Sequence, residues 1–403
     1  MATGSGKRMH TFTPTARAAL AAHTDWEKAL QDALAQIGDS LADVALLFAS
    51  DEYSDSFAEI VRRVRSATKA RILLGCSGQG IVGTGVELED VPCLSLLTLS
   101  LPGASLRAAH ITQDLLETSL RPDILRDQLD IPLDDVNAWL VFADPFQMNC
   151  EELINSLARA YADTPMLGGL ASSDTGELHT HVFLNDEVFT EGAVALAIGG
   201  SYTILPLVSQ GCEPIGEPWT ITGVQENGLV ETISNRSAYE LLVETLLALP
   251  ADMQRRAQRN LLVGLAADEY RATFSRGNFL IRNLIGVDRR TGALAIGAQP
   301  RVGQTIQFQI RDAETADLDL HELLEGAKEK LGTNRAVAGI LCTCNGRGEG
   351  LFSIPNHDAE LIEQELGPLP LAGLFCNGEI GPIGNRPFLH GFTASLALLV
   401  QRS

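Results

Sequence analysis

The residues best suited to chemistry lie where short apolar runs end in glycine-rich loops. The most unusual loop, residues 341–348, contains Cys342, Cys344, Asn345 and Arg347. An arginine and several free backbone amides at the end of a strand suit a carboxylate or phosphate ligand. The loop lacks the Gly-Lys-Ser/Thr ending of a phosphate-binding P-loop. The competing interpretation is that Arg347 bridges to one of the abundant acidic residues nearby.

Comparable loops occupy residues 75–78, 168–174 and 373–379. Each of them alone can be explained as a tight turn made by glycine. Loops at equivalent strand ends also favour a shared ligand pocket, because α/β proteins usually bind their ligands there. We therefore predict a binding pocket formed by these loops and by the strand at 279–287, with the following residues: Cys76, Ser77, Ser172, Arg282, Asn283, Cys342, Asn345, Arg347, Gly348, Cys376, Asn377, Gly378 and Glu379.

Arg282 interrupts an otherwise apolar strand. An arginine in such a strand either lies on the open face of the sheet or pairs with a carboxylate inside a site. In the predicted pocket, Arg282 or Arg347 binds a ligand carboxylate and Glu379 takes an amino group. A small anionic ligand such as a carboxylate is what this arrangement favours.

Signatures of catalysis and of metal binding are missing from the sequence. It has no Gly-x-Ser-x-Gly elbow and no His-Glu-x-x-His motif, and its histidines do not cluster apart from His179 and His181. We expect a protein that is not an enzyme and that holds no metal and no cofactor. One alternative stays open, a thiol nucleophile at Cys342, Cys344 or Cys376, which would need a lowered pKa.

The elements that position these loops recur three times. A short apolar strand begins near residues 44, 139 and 338, and each leads through a turn to an amphipathic helix and two further strands. Residues 261–311 alternate like antiparallel strands. We predict an α/β (α+β) fold with two related domains of mixed β-sheet and packed helices, residues 41–235 and 236–403. An N-terminal segment, 1–40, holds one helix, from Asp25 to Ile37, with Thr24 as its N-cap.

Composition limits the partners and the compartment. The 403 residues include 30 Lys and Arg against 51 Asp and Glu, a formal charge of −21, which disfavours nucleic acid and anionic lipid. The longest uncharged stretch, residues 192–212, alternates like two strands joined by a turn, so no transmembrane segment is expected. Seven cysteines, an odd number, and the absence of a leader predict a cytoplasmic protein with reduced thiols.

Taken in order, these motifs resemble FIST-domain proteins, with both an N-terminal and a C-terminal FIST portion. The resemblance runs from about Thr24 to Leu399 and is carried by residues 47–50, 74–77, 168–174, 282–288, 342–348 and 373–382. It implies a sensory domain of signal transduction that binds small ligands, such as amino acids. Some relatives carry signalling outputs or an F-box segment, whereas a stand-alone module is expected here.

Two interpretations of function remain open at this point. The first is a cytosolic ligand-binding sensor that passes its state to an unknown protein partner. The alternative is an interaction or scaffold protein that docks on a larger complex through its acidic surface, and such docking should weaken with salt.

Overall fold

The computed structural model describes residues 13–174 and 179–402. In this part the chain forms three successive units of related build. The first contains β1 (Thr15–Ala22), α1 (Trp26–Ile37), β2 (Val44–Ser50), α2 (Phe57–Thr68), β3 (Ile72–Gly78), β4 (Ile81–Gly83), β5 (Val86–Leu88) and β6 (Cys93–Ser100). The second contains β7 (Ala104–Ile111), α3 (Gln113–Thr118), α4 (Pro122–Leu129), β8 (Ala138–Ala143), α5 (Cys150–Ala160), β9 (Met166–Leu170), β10 (Val182–Leu184), β11 (Glu187–Phe189) and β12 (Ala193–Gly200).

The third unit begins with β13 (Tyr202–Ser209) and is then interrupted by residues 212–311. This insertion contains β14 (Cys212–Val224), β15 (Val230–Ile233), β16 (Arg236–Ser237), α6 (Ala238–Ala248), α7 (Ala251–Asn260), β17 (Leu261–Ala266), β18 (Phe279–Asp288), β19 (Ala293–Ile296) and β20 (Thr305–Arg311). The unit resumes with α8 (Ala313–Leu331), β21 (Ala338–Cys344), α9 (Gly348–Phe352), α10 (His357–Leu366), β22 (Leu371–Cys376), β23 (Glu379–Ile383), β24 (Arg386–His390) and β25 (Ala394–Gln401).

Each unit builds one six-stranded sheet and completes it with a hairpin from another unit. The strand orders are β1-β6-β2-β3-β10-β11, β7-β12-β8-β9-β23-β24 and β13-β25-β21-β22-β4-β5. The hairpin β4-β5 of the first unit therefore extends the third sheet. The hairpin β10-β11 of the second unit extends the first sheet, and the hairpin β23-β24 of the third unit extends the second. This cyclic exchange ties the three units into one body, because no sheet is complete without a neighbour.

A glycine in the second parallel strand of each sheet permits the same close approach to the first. A Cβ atom at Gly75, Gly168 or Gly373 would lie 1.8 Å from a carbonyl oxygen of the neighbouring parallel strand. The three glycines occupy equivalent positions, so they also fix the alignment of the three units residue by residue.

The inner faces of the three sheets share one apolar core. Phe48 of the first sheet and Phe142 of the second meet edge to face with ring centroids 5.1 Å apart, and Cys342 of the third sheet belongs to the same cluster. Helices cover the outer faces, with α1 and α2 on the first sheet, α3 to α5 on the second, and α8 and α10 on the third.

The insertion forms a separate seven-stranded sheet in the order β14-β20-β17-β18-β19-β15-β16, which we call the inserted sheet. The chain enters and leaves the inserted sheet on neighbouring strands, since Cys212 of β14 pairs with Arg311 of β20. Helices α6 and α7 pack on one face of it. The other face meets the body through a small cluster that includes Phe279, Ile281 and Phe392.

The predicted fold class is confirmed, since mixed sheets with packed helices are built from a repeated strand-helix-strand-strand unit. Residues 192–212 form the expected pair of strands, β12 and β13. Helix α1 is present, but Asp25 is its N-cap in place of Thr24, because the Asp25 carboxylate accepts the Glu27 amide at 3.0 Å. No helix in the described ranges is long and apolar enough to cross a membrane.

The domain boundaries stay a prediction. Residue 235 lies in the turn between β15 and β16, and β13 pairs with β25 near the C-terminus. The N-terminal segment contains a strand, β1, in addition to its helix.

Candidate functional site

A cavity of about 260 Å³ lies where the inserted sheet meets the strand ends of the third unit. The inserted sheet supplies one wall, from β18 and from the residue that follows β19. The body supplies the other, from the ends of β21 and β22 and the start of β23. The lining residues are Ile281, Arg282, Asn283, Gly297, Cys344, Asn345, Cys376, Asn377, Gly378, Glu379, Gly391 and Phe392.

Most of the residues predicted from the C-terminal loops come together in this cavity. Those that line it are Arg282, Asn283, Asn345, Cys376, Asn377, Gly378 and Glu379. Those that do not are Cys76, Ser77, Ser172, Cys342, Arg347 and Gly348. The three glycine-rich loops contact one another, for example through the hydrogen bond from the Ser172 hydroxyl to the Phe375 carbonyl, but of the three the loop after β22 is the one that lines this cavity.

The ends of β21 and β22 set the polar floor of the cavity. Cys344 and Cys376 are direct neighbours in the parallel register of the two strands. One residue further on, Asn345 donates a side-chain hydrogen bond to the Asn377 carboxamide at 3.3 Å. The Asn345 Oδ1 atom is buried and accepts no hydrogen bond from the described residues. An acceptor in that state favours a donor from outside the protein.

Glu379 is a fully buried carboxyl beside this floor. Its Oε2 accepts from the Thr393 amide at 2.9 Å and from the Thr393 hydroxyl at 2.8 Å, and the Cys376 thiol lies 3.7 Å from Oε1. Burial raises the pKa of Glu379 to about 7, although these hydrogen bonds and the charge of Arg311 oppose the shift. The register of the exchanged hairpins puts Ile81 and Val182 at the equivalent positions of the other units. The acid is thus peculiar to the unit that has the cavity.

Arg282 is largely committed to contacts within the protein. Its guanidinium donates to the Ile281 carbonyl at 2.9 Å and to the Leu389 carbonyl at 3.1 Å, and it lies 3.7 Å from Glu151. Burial lowers the pKa of Arg282, while Glu151 and Glu379 oppose that effect. Arg282 therefore links the inserted sheet to β24 and α5 besides lining the cavity.

Arg347 has a structural partner. It is fully buried, and its Nε and Nη2 donate to the Asp358 carboxylate at 2.7 and 2.8 Å. Burial alone would raise the pKa of Asp358, but the Arg347 guanidinium and the hydrogen bond to His357 together hold that pKa below its usual range. The bridge to a nearby acid is therefore the interpretation that the geometry supports.

The other predicted residues lie in packing and hydrogen-bond positions. Cys76 and Cys342 belong to the central core. The Ser172 hydroxyl donates to the Phe375 carbonyl at 2.6 Å, and the Ser77 hydroxyl donates to the Ser172 carbonyl at 3.1 Å, so both serines tie units together. Gly348 is buried against Glu89 and does not reach the cavity.

The thiols at the cavity have raised pKa values. Burial raises the pKa of Cys344 and of Cys376, and the Glu379 charge adds to the effect at both. A nucleophilic thiol needs the opposite shift. Across the described ranges, no group of three or more His, Cys, Asp or Glu side chains is arranged to hold a metal ion.

The residues predicted from the sequence did not include Phe392, which lines the cavity, or Arg311, which lies beside the Phe392 ring. Arg311 ends β20, a strand in which polar and apolar residues alternate, so a polar residue at its end gave no signal in the sequence. Its guanidinium carbon lies 5.3 Å from the centre of the Phe392 ring, and its Nη2 donates to the Gly346 carbonyl at 3.0 Å. Phe392 has a backbone φ of 69°, which a bulky residue rarely adopts and which no sequence pattern indicated.

Comparison with protein families gives two adjoining matches. The FIST N domain matches residues 43–236, and the FIST C domain matches residues 238–382. The chain belongs to the FIST-domain family. FIST domains are sensory domains of signal transduction that are thought to bind small ligands.

Similar proteins are found in mycobacteria. The uncharacterised protein Rv0628c of Mycobacterium tuberculosis is 36% identical over 381 residues, which cover 94% of this chain and 97% of the relative. The uncharacterised protein Mb0898c of Mycobacterium bovis is also 36% identical, with 94% and 96% covered. Among solved structures, a cyanuric acid hydrolase from A. caulinodans matches 97% of this chain and 100% of its own at 10% identity. With a TM-score of 0.37, this likeness carries no argument about function.

Proposed function

We propose that this FIST-domain protein is a cytosolic sensor whose cavity, at the junction of the inserted sheet and the third unit, binds a small carboxylate, with an amino acid as the favoured class. The observation that carries the proposal is the cavity itself. Of the three equivalent strand ends, the one that the inserted sheet covers also has a buried acid in place of an apolar residue.

The size and polarity of the cavity support a small polar ligand. A volume of about 260 Å³ is below the range of pockets that hold drug-sized molecules. Asn283, Asn345 and Asn377 offer both donors and acceptors, while Arg282 and Glu379 provide opposite charges. An α-amino acid carries one negative and one positive group at a distance that a cavity of this size can contain.

The position of the cavity supports a sensory role. Its walls come from two bodies that are joined by neighbouring strands at Cys212 and Arg311. A ligand that touches both walls favours the arrangement in which they are close, and so shifts the population of conformations. A protein partner that reads the position of the inserted sheet would receive that shift.

A thermal-shift and calorimetry screen tests the proposal. The panel contains the L-amino acids, acetate and other small carboxylates. We expect at least one compound to raise the unfolding midpoint of the wild-type protein, because a ligand that binds the folded state stabilises it. No response across the panel, together with no small molecule in native mass spectra of the purified protein, would contradict the proposal.

A matched pair of variants tests whether binding occurs in the cavity. A Cβ atom at Gly297 would meet Asn283 at an ordinary 3.6 Å, so Gly297→Leu should be accommodated and should fill the cavity. Gly286 lies on the same sheet, and a Cβ atom there would have nothing within 4 Å of it, which makes Gly286→Leu the control. If Gly297→Leu loses the ligand response and Gly286→Leu keeps it, the result supports this site. An equal response in the two variants would mean that the ligand binds elsewhere.

A further inference from the structure

Arg311 differs from the other arginines near the cavity in having no carboxylate partner. Arg347 pairs with Asp358, and Arg282 lies within 4.0 Å of Glu151. No carboxylate oxygen in residues 13–174 or 179–402 lies within 4.0 Å of a guanidinium nitrogen of Arg311. Its Nε atom is buried and has no hydrogen-bond partner among these residues. A buried charge in this state is costly to the free protein.

The surroundings of Arg311 contain a second unsatisfied atom and a strained residue. The Gly346 carbonyl accepts a hydrogen bond from Arg311. The preceding residue, Asn345, has a buried Oδ1 atom that has no partner among the described residues. The aromatic ring that faces the guanidinium belongs to Phe392, whose φ is 69°. Backbone strain of this kind is concentrated at ligand-binding and switch regions. Phe392 lines the cavity, whereas Arg311 does not.

We propose that Arg311 is the residue that recognises the carboxylate group of the ligand, and that the Phe392 ring occupies its place in the ligand-free protein. This assignment rests on the proposed function and specifies its anion-binding residue. The cation–π contact with Phe392 offsets part of the unpaired charge. A carboxylate offers a far stronger partner, because charge-assisted hydrogen bonds to arginine are stronger and often bidentate.

The free protein provides the first test, through two arginine-to-methionine variants. Methionine retains most of the arginine volume and removes the charge. We expect Arg311→Met to leave the unfolding midpoint unchanged or to raise it, because no carboxylate of the described residues lies within 4.0 Å of its guanidinium nitrogens. Arg347→Met should lower the midpoint by many degrees, because the buried Asp358 carboxylate then loses the guanidinium that pairs with it. A fall in Arg311→Met as large as that in Arg347→Met would show a structural role and overturn the assignment.

Binding provides the second test, with acetate and L-alanine as probes in calorimetry. We expect Arg311→Met to weaken both at least tenfold, and Arg282→Met to weaken them less. Unchanged binding in Arg311→Met with a loss in Arg282→Met would overturn the assignment and leave the proposed function intact. If neither probe nor any carboxylate of the panel binds the wild-type protein, the proposed function fails. The assignment then fails with it, because it names the anion-binding residue of that function.

Discussion

Replacing Glu379 by glutamine should abolish a specific pH dependence of stability. The carboxyl is fully buried, and its pKa is raised to about 7 from an ordinary value of 4.5. A carboxyl with a raised pKa binds its proton more tightly in the folded protein than in the unfolded chain. Its contribution to the free energy of unfolding therefore falls as the pH rises from the ordinary value through about 7.

The magnitude follows from the two pKa values. Between pH 5 and pH 8, ionisation of Glu379 should lower the free energy of unfolding by about 2.5 kcal/mol. Glu379→Gln keeps an oxygen that accepts from Thr393 and cannot ionise, so this decrease should be absent. The charged and titratable neighbours are Arg282, Arg311, Cys344, Cys376 and His390, and they are unchanged in the variant.

Urea unfolding at half-unit intervals from pH 5 to pH 8 measures the effect. Because the protein contains other groups with shifted pKa values, the informative quantity is the difference between the wild type and Glu379→Gln at each pH. We expect this difference to change by about 2.5 kcal/mol in favour of the variant. The exposed control Glu226→Gln should run parallel to the wild type. Parallel curves for Glu379→Gln as well would refute the raised pKa and the account of the buried acid.

Two further predictions concern the framework of the third and second units. Asp358→Asn leaves the fully buried Arg347 charge without its paired carboxylate, so urea unfolding should show that the free energy of unfolding falls by about 3–5 kcal/mol. A fall of less than about 1 kcal/mol would mean that the pair contributes little to stability. Gly168→Ala puts a Cβ atom 1.8 Å from the Val141 carbonyl oxygen. This variant should yield little folded protein by circular dichroism, whereas Gly286→Ala, with open space around it, should fold normally, and equal yields would contradict the close approach.

Much of the repeat and part of the site could be predicted from local patterns. The buried strand Val44–Ser50 is a continuous apolar run, and its counterparts near residues 139 and 338 look the same. The loop after β22 joins the end of that strand directly to β23, so Cys376 to Glu379 had to lie together. Residues 376–379 lie close to Asn345 because β21 and β22 pair in parallel, which is the usual arrangement of successive strands joined by a helix.

Other features had no local signal. The alanine-rich segment Thr15–Ala22 favours a helix by propensity, yet it forms β1 because its backbone pairs with Cys93–Ser100 along the whole strand. Arg347 and Asp358 are adjacent only because the loop after β21 folds back on α10. Whether an arginine in an acidic chain meets a ligand or a carboxylate depends on such packing, and the sequence left both interpretations open.

The sequence by itself determined the repeated unit, the fold class, the family and the residues of the C-terminal strand ends, because each of these is encoded in short stretches whose period and glycines are visible. Only the tertiary structure decided which strand ends make a cavity. The hairpins are exchanged around a closed ring of three sheets, so the loops of the first and second units contact that of the third through Ser77 and Ser172 without lining the cavity. The inserted sheet then covers one of the three positions, where Glu379 is buried and Arg311 has no carboxylate of the described residues within 4.0 Å, and these contacts join residues far apart in the chain.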